Sequence, residues 1–336
     1  MVAMTVVGAA TSLRTDWADP FADPFVDGAT QAAIEDAIDD ALVIRTASIQ
    51  GWTAFRYAVF GEGLPGVVPG RNGWLFTDEE FIADDGFEAR RQASVARIVS
   101  DVETLQAMGS TVIVALLPDK ARVMSEHVVG ARPPQVEARY EDTRADLAAL
   151  GVQTVDLLTI LGGDKSTSDP FLRTDTHWTP EGAARVAAAL APAIRSATST
   201  RTTFETLPEA TIEHDGDLLA FLDTGPFASV FGFDPESVVV QSTLPIETAD
   251  AGSLFGDATV NAVLVGTSYS AIPKWNFLGF LQQASETDIL NMAEEGNGPF
   301  VPMTNFLTEL ANGVPIPEVV IWEIPERYLT LEKLTD

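Results

Sequence analysis

The stretch Asn261-Ala262-Val263-Leu264-Val265-Gly266-Thr267-Ser268-Tyr269-Ser270 runs from an apolar segment straight into a small, hydroxyl-rich turn. Ala262 to Val265 form an uninterrupted apolar run with two β-branched valines, which predicts a short buried parallel strand. Gly266 and Thr267 close it, so Ser268 falls at the carboxyl end of a strand, where open parallel sheets bind their ligands. Lys274-Trp275-Asn276-Phe277-Leu278-Gly279-Phe280-Leu281 predicts a helix soon afterwards, with Pro273 suited to its first turn. Together these make a strand-to-helix elbow that exposes the Ser268 hydroxyl and aims backbone N–H groups at a developing oxyanion. A plain turn closing a strand has the same local sequence, so Ser268 needs partners before it counts as a nucleophile.

Partners of the required types stand about ninety residues upstream, in Arg173-Thr174-Asp175-Thr176-His177-Trp178-Thr179-Pro180. A hydroxyl attacks only when an imidazole takes its proton, and the imidazole needs a carboxylate to fix its tautomer. The two-residue step from Asp175 to His177 lets one loop present both side chains to one cleft. Thr179, Pro180 and Glu181 form a helix start: an N-cap, a proline at the first helical position and an acid in the first turn. Ala183 to Ile194 then carries a helical apolar pattern.

The rest of the chain alternates. A helix is predicted from about Phe87 to Met108, a strand over Thr111 to Leu117, a helix over Gln135 to Leu150 and a strand over Val152 to Leu158. The helix after Pro180, the strand before Ser268, the helix after it and a terminal strand over Glu318 to Glu323 complete an α/β/α sandwich. Residues 200–260 are less regular and carry insertions. Near the start, residues 11–28 form an irregular arm. Ile34, Ala37, Ile38, Ala41 and Leu42, followed by Trp52, Phe55 and Tyr57, predict one or two helices packed on the main domain. Asn72-Gly73 predicts a hairpin turn. The expected division is 1–66 as arm and helical extension, and 67–336 as the catalytic domain.

Composition excludes some partners. Among 336 residues, 49 acidic side chains face 20 basic ones, a formal charge of −29 that repels nucleic acid and anionic membrane surfaces. A polyanion is repelled too unless salt screens the field, so a neutral, cellulose-like glucan ranks level with a uronate as a candidate polymer. There is no cysteine, which rules out disulfide and thiolate chemistry. Met1 to Ala10 is apolar but too short to span a bilayer and lacks the basic flank of a signal peptide.

Asp-x-His-Trp followed by Gly-x-Ser-Tyr-Ser resembles the AlgX/AlgJ group of polysaccharide O-acetyltransferases. Gly70-Arg71-Asn72-Gly73-Trp74-Leu75-Phe76, Leu117-Pro118-Asp119-Lys120, Gly216-Asp217-Leu218, Asp288 to Asn291 with Gly296-Asn297-Gly298, and Ile321-Trp322-Glu323 with Glu326-Arg327 match that group in order. The resemblance spans roughly residues 67 to 330. It implies a three-layer α/β/α SGNH-hydrolase-like domain with a mainly parallel sheet, in which Asp175 and His177 precede Ser268. Ordinary SGNH esterases place the serine first. It also implies acetyl transfer to an exported polysaccharide, a membrane-bound O-acyltransferase as acetyl supplier, and a periplasmic or exported location, with Met1 to Ala10 the remnant of a membrane anchor. Two departures stand out. Gly-Thr-Ser replaces the usual Gly-Asp-Ser, and the chain stops after its last predicted strand, so no carbohydrate-binding module is expected.

Secondary candidates surround the triad. Tyr269, Asn291 and Asn297 are candidate oxyanion donors and Gly298 a point of close backbone approach, although each of the last three is more often a turn residue than a donor. Trp178 and Trp275 either floor a sugar site or pack in the core. Lys120 either holds a substrate oxygen or is a solvated loop lysine. His214-Asp215-Gly216-Asp217 offers an alternative acid/base pair or metal site, but the three histidines show no metal-ligand spacing, and neither metal nor cofactor is expected. The same triad would serve a carbohydrate acetyl esterase, and a scaffold or binding subunit of an export complex is the alternative without chemistry.

Overall fold

The computed structural model describes residues 45–163, 165, 168–246 and 261–331. Of these, 65–219 with 233–331 form a larger compact unit, and 45–64 with 220–232 a smaller one.

In the larger unit, β1 (Val67–Pro69) and β2 (Leu75–Thr77) pair antiparallel. They are joined through Asn72 and Gly73 at φ 58° and 75°, the left-handed conformations that a tight Asn-Gly turn requires. The remaining strands are β3 (Thr111–Leu117), β4 (Phe204–His214), β5 (Glu236–Pro245), β6 (Ala262–Val265), β7 (Ile289–Asn291) and β8 (Val319–Pro325). Four of them form one parallel sheet in the order β3-β8-β6-β7. Side chains alternate across it as the two-residue strand period demands. Ile113, Ala115, Leu117, Leu264 and Ile321 pack with the helices Pro180–Ala197 and Phe277–Ser285. Val112, Val114, Leu116, Val263, Val265 and Trp322 pack with the helices Phe87–Met108, Pro134–Ala149 and Phe300–Ala311. Both faces are covered, which is why the strands read as continuous apolar runs, and the result is the expected three-layer sandwich.

Three local expectations differ. The strand over Val152 to Leu158 is reduced to one parallel bridge between Val114 and Thr154. Asp156 diverts the chain by capping the helix Leu157–Gly162, its carboxylate accepting the Thr159 N–H at 3.1 Å. The helix over Lys274 to Leu281 is broken: a 3-10 turn over Pro273–Trp275 ends at Asn276, whose φ of 50° precedes the helix Phe277–Ser285. Asn tolerates that left-handed conformation, and its side chain is anchored by a 3.0 Å bond to Thr243 Oγ1. Residues 204–245 hold a long antiparallel ribbon, β4 against β5, bringing His214 opposite Glu236. A register shift beside Pro208 interrupts its alternation, which hid it in the sequence.

The smaller unit has the helix Arg45–Phe60, with Gln50 Nε2 donating to Asp223 at 3.0 Å and Tyr57 edge-on to Phe231 at 4.9 Å. The helical pattern over Ile34 to Leu42, the arm at 11–28 and the apolar start Met1 to Ala10 lie outside the described residues. Among the described residues, no helix is long and apolar enough to cross a membrane.

Candidate active site

Ser268 opens a single helical turn, Ser268–Ala271, directly after β6. Glu323, on the neighbouring β8, holds that turn from below: its carboxylate accepts the Thr267 N–H at 2.8 Å, the Thr267 hydroxyl at 3.0 Å and the Ser270 hydroxyl at 3.1 Å. Burial pushes the Glu323 carboxyl up, against the pull of those donors. A Cβ on Gly266 would lie 2.6 Å from Glu323 Oε2, so the glycine is needed for this close approach. Among the described residues, the Ser268 N–H has no acceptor, and the Tyr269 N–H has only Thr267 Oγ1 at 3.4 Å.

The loop carrying Asp175 and His177 is gripped along its backbone. Glu236 accepts the N–H groups of Arg173 and Thr174 at 2.9 and 3.0 Å, and Asp217 accepts that of Thr176 at 2.7 Å. Lys120 Nζ donates to the carbonyls of Leu75, Arg173 and Asp175 at 2.6, 3.0 and 2.8 Å. Neither expectation for Lys120 holds: it is 1% exposed, and its three N–H groups are spent on backbone oxygens. Burial pushes its ammonium down to about 8, against the pull of Glu80, Asp175, Glu236 and Asp217.

The loop brings the three expected side chains together. Asp175 Oδ1 accepts the His177 backbone N–H at 2.8 Å and meets His177 Nδ1 at 2.7 Å, while His177 Nε2 lies 2.8 Å from Ser268 Oγ. An ionised carboxylate only accepts, so Nδ1 carries the proton and Nε2 offers its lone pair to the Ser268 hydroxyl. Burial alone would raise the Asp175 carboxyl; hydrogen bonds from His177 and His214 outweigh it and hold the group well below the usual carboxylate range. Asp175 is therefore an anion at neutral pH. Asp175, His177 and Asp217 have the donor types of a metal site within 4.8 Å of one another, but the 2.7 Å contact between Asp175 and His177 is the geometry of a hydrogen-bonded pair.

His214 is the residue whose place the sequence did not reveal. Instead of an alternative acid/base pair, it joins the same carboxylate: His214 Nε2 lies 2.7 Å from Asp175 Oδ2, and Lys274 Nζ lies 3.0 Å from His214 Nδ1.

Other candidates take structural positions. The Tyr269 hydroxyl donates to the Thr176 carbonyl at 2.6 Å, and burial pushes its phenol well up. Its ring lies 4.8 Å from that of His177. Trp178 is fully buried between Tyr269 and Phe277, which places it in the core rather than under a sugar. Trp275 is buried too, against both His177 and His214. Asn291 donates to the Ser270 carbonyl at 2.8 Å, so its amide braces the nucleophile turn from behind. Asn297 is exposed and bonded to Glu294 at 2.7 Å, and Gly298 is buried at φ 62°.

A parallel three-layer sheet with a hydroxyl, an imidazole and a carboxylate joined at its carboxyl edge defines an SGNH-hydrolase-like acyl-transfer enzyme. Residues 67–326 match the family described as "SGNH hydrolase-like domain, acetyltransferase AlgX", and the chain belongs to it; it is an O-acetyltransferase. A relative from Pseudomonas putida, named "Probable alginate O-acetylase AlgJ", is 40% identical over 299 residues, covering 86% of this chain and 77% of its own length. One of the same name from Pseudomonas syringae pv. tomato is 41% identical over 285 residues, covering 83% and 73%. The solved structure described as "O-Acetyltransferase Domain of Pseudomonas putida AlgJ" is similar at a TM-score of 0.72 and 40% identity, over 80% of this chain and 94% of that one.

Proposed function

We propose that the chain moves an acetyl group, through an acetyl-serine on Ser268, to hydroxyls of an exported polysaccharide. The observation that carries this is the unbroken contact from Ser268 Oγ to His177 Nε2 at 2.8 Å and from His177 Nδ1 to Asp175 at 2.7 Å. His177 takes the Ser268 proton as Oγ attacks the carbonyl carbon of a donor acetyl ester. The N–H groups of Ser268 and Tyr269 stabilise the oxyanion, His177 returns the proton to the departing alcohol, and the acetyl group stays on Oγ. A sugar hydroxyl, deprotonated by His177, then attacks the acetyl-serine and releases Oγ, which takes the proton back. Asp175 orients the ring and stabilises the imidazolium throughout.

The names of the relatives favour alginate as the acceptor. The net charge of −29 opposes that polyanion, so acceptor affinity should rise as salt screens the field. The proposal includes an exported location and delivery of acetyl groups by a membrane-bound acyltransferase.

The test is incubation with an activated acetyl ester, with and without alginate oligosaccharide. A gain of about 42 Da on Ser268, absent in Ser268→Ala, followed by acetylated sugar, supports the proposal. Free acetate alone, with oligosaccharide present, would make the protein an esterase. No acylation of Ser268 would leave a binding or scaffold role.

A further inference from the structure

The Asp175 carboxylate is shared between two imidazoles. Oδ1 takes the His177 backbone N–H and Nδ1; Oδ2 takes His214 Nε2 at 2.7 Å and the Asp217 backbone N–H at 3.2 Å. Beyond His214, Lys274 Nζ lies 3.0 Å from Nδ1. We propose that His214, fixed in one tautomer by Lys274, is a positioning residue that locks the Asp175 carboxylate against His177; this rests on the assignment of Ser268 as the acetyl carrier.

The tautomer follows from the two neighbours. A Lys ammonium has only donors and a carboxylate only acceptors. His214 satisfies both in one way alone: the Nδ1 lone pair toward Lys274 and Nε2–H toward Asp175. The opposite tautomer would set N–H against the ammonium and a lone pair against the carboxylate. An imidazolium would set Nδ1–H against Lys274. With His214 so fixed, Asp175 has two donors on each oxygen, filling its four lone-pair sites. The carboxylate cannot rotate out of line with His177 Nδ1 without breaking contacts at both oxygens.

Simple packing of the β4/β5 ribbon explains this less well. The His214 side chain is 11% exposed and spends both ring nitrogens on charged groups at the site. Lys274 directs its ammonium at an imidazole in a chain with 49 acidic side chains. It stands on the turn that follows the nucleophile, and both imidazoles pack on Trp275, at 5.7 and 5.4 Å between ring centroids. The nucleophile turn, the Asp175 loop and the end of β4 are thereby tied at one carboxylate.

The chain has three histidines, His127, His177 and His214, so long-range 1H–15N correlation on protein labelled at histidine resolves every ring. His214 should appear as the Nε2–H form, and Lys274→Met should admit the doubly protonated form, because Nε2–H still faces the Asp175 carboxylate while Nδ1 no longer faces an ammonium. With 4-nitrophenyl acetate, His214→Leu should slow acylation of Ser268 about tenfold to hundredfold at unchanged KM, the effect of one hydrogen bond to a charged group. His214→Gln, which keeps an N–H at the Nε2 position, should recover most of that rate. The proposal is overturned by a wild-type His214 in the Nδ1–H or doubly protonated form, or by a folded His214→Leu acylated at the wild-type rate. If His214→Leu does not fold, Lys274→Met decides by the same two readouts. If the wild type is not acylated at all, the assignment of Ser268 fails, while the tautomer still decides the His214–Lys274 pairing.

Discussion

The ammonium of Lys120 lies 2.8 Å from the carbonyl oxygen of Asp175, beneath the loop that presents the carboxylate. Leu75 and Arg173 supply the other two acceptors, so one buried cation ties the hairpin strand β2 to both flanks of the Asp175 loop. Lys120→Met keeps the apolar stem and removes all three donors. The Arg173 carbonyl keeps the Leu75 N–H at 2.9 Å, so at about 1–3 kcal/mol for each of the other two buried acceptors left unpaired the loss should amount to several kcal/mol. The melting temperature and the Ser268 acylation rate should fall together. Lys120→Arg should not rescue either, because a planar guanidinium cannot occupy a site shaped for three converging carbonyls. An unchanged acylation rate in Lys120→Met would show that the loop holds its shape without this cation.

The parts of the site legible in the sequence are those written locally. Thr179-Pro180-Glu181 announces a helix start whatever surrounds it, and the run Ala262 to Val265 reads as a strand buried on both faces; the first puts His177 just ahead of a helix and the second puts Ser268 at the carboxyl end of a strand. The contact between His214 and Asp175 is of another kind, because 39 residues and a ribbon with an irregularity beside Pro208 separate them. Its available signal was the adjacency of His214 to Gly216-Asp217-Leu218, a segment already matched to the family. The burial of Lys120 is not legible, because it depends on carbonyls from two separate segments, Leu75 in β2 and Arg173 with Asp175 in the catalytic loop. No pattern of side chains along one segment records where backbone oxygens from others converge.

Glu323 sets the geometry of the nucleophile turn without touching substrate. Glu323→Ala removes the acceptor for the Thr267 N–H and leaves the turn free to rotate its N–H groups away from the oxyanion. Acylation should slow by about 10² to 10³, the cost of losing one oxyanion donor. Glu323→Gln keeps one acceptor and should lose less. Gly266→Ala should reproduce the defect, since its new Cβ would press on Glu323 Oε2 from 2.6 Å. Burst kinetics with an activated acetyl ester measure all three, and equal bursts in Glu323→Ala and wild type would refute the clamp.

Asp119 makes stability depend on pH. It is buried against Arg132 and Arg139, and although burial alone would raise its carboxyl, those guanidiniums and Arg122 hold it below the usual value. With the folded-state value depressed, the unfolded chain binds the proton first. The stabilisation is therefore complete above the ordinary Asp range, about pH 4, and is lost as the pH falls toward the folded-state value. Asp119→Asn leaves two buried guanidiniums underpaired and should cost about 3–5 kcal/mol at pH 7. Denaturant titrations between pH 7 and pH 2 should show the gap to wild type closing on the acid side. A gap independent of pH would mean that the ion pairs contribute only packing.

Gly216 tests whether loop position alone sets the rate. A Cβ there would meet the Thr174 carbonyl oxygen at 2.1 Å and its carbon at 2.2 Å, both backbone atoms that cannot swing aside. Gly216→Ala must therefore push the loop at the residue next to Asp175, while every catalytic side chain stays in place chemically. A displacement of about 1 Å typically costs about 10² in rate, so acylation should fall by that order with KM little changed. Gly51→Ala is the control: its Cβ meets nothing within 4 Å in the helix Arg45–Phe60, and it should leave the rate alone while favouring that helix by about 1 kcal/mol. Full acylation by Gly216→Ala would mean that Asp175 and His177 reach Ser268 from more than one loop position, and the grip of Lys120, Glu236 and Asp217 on the loop would then serve stability alone.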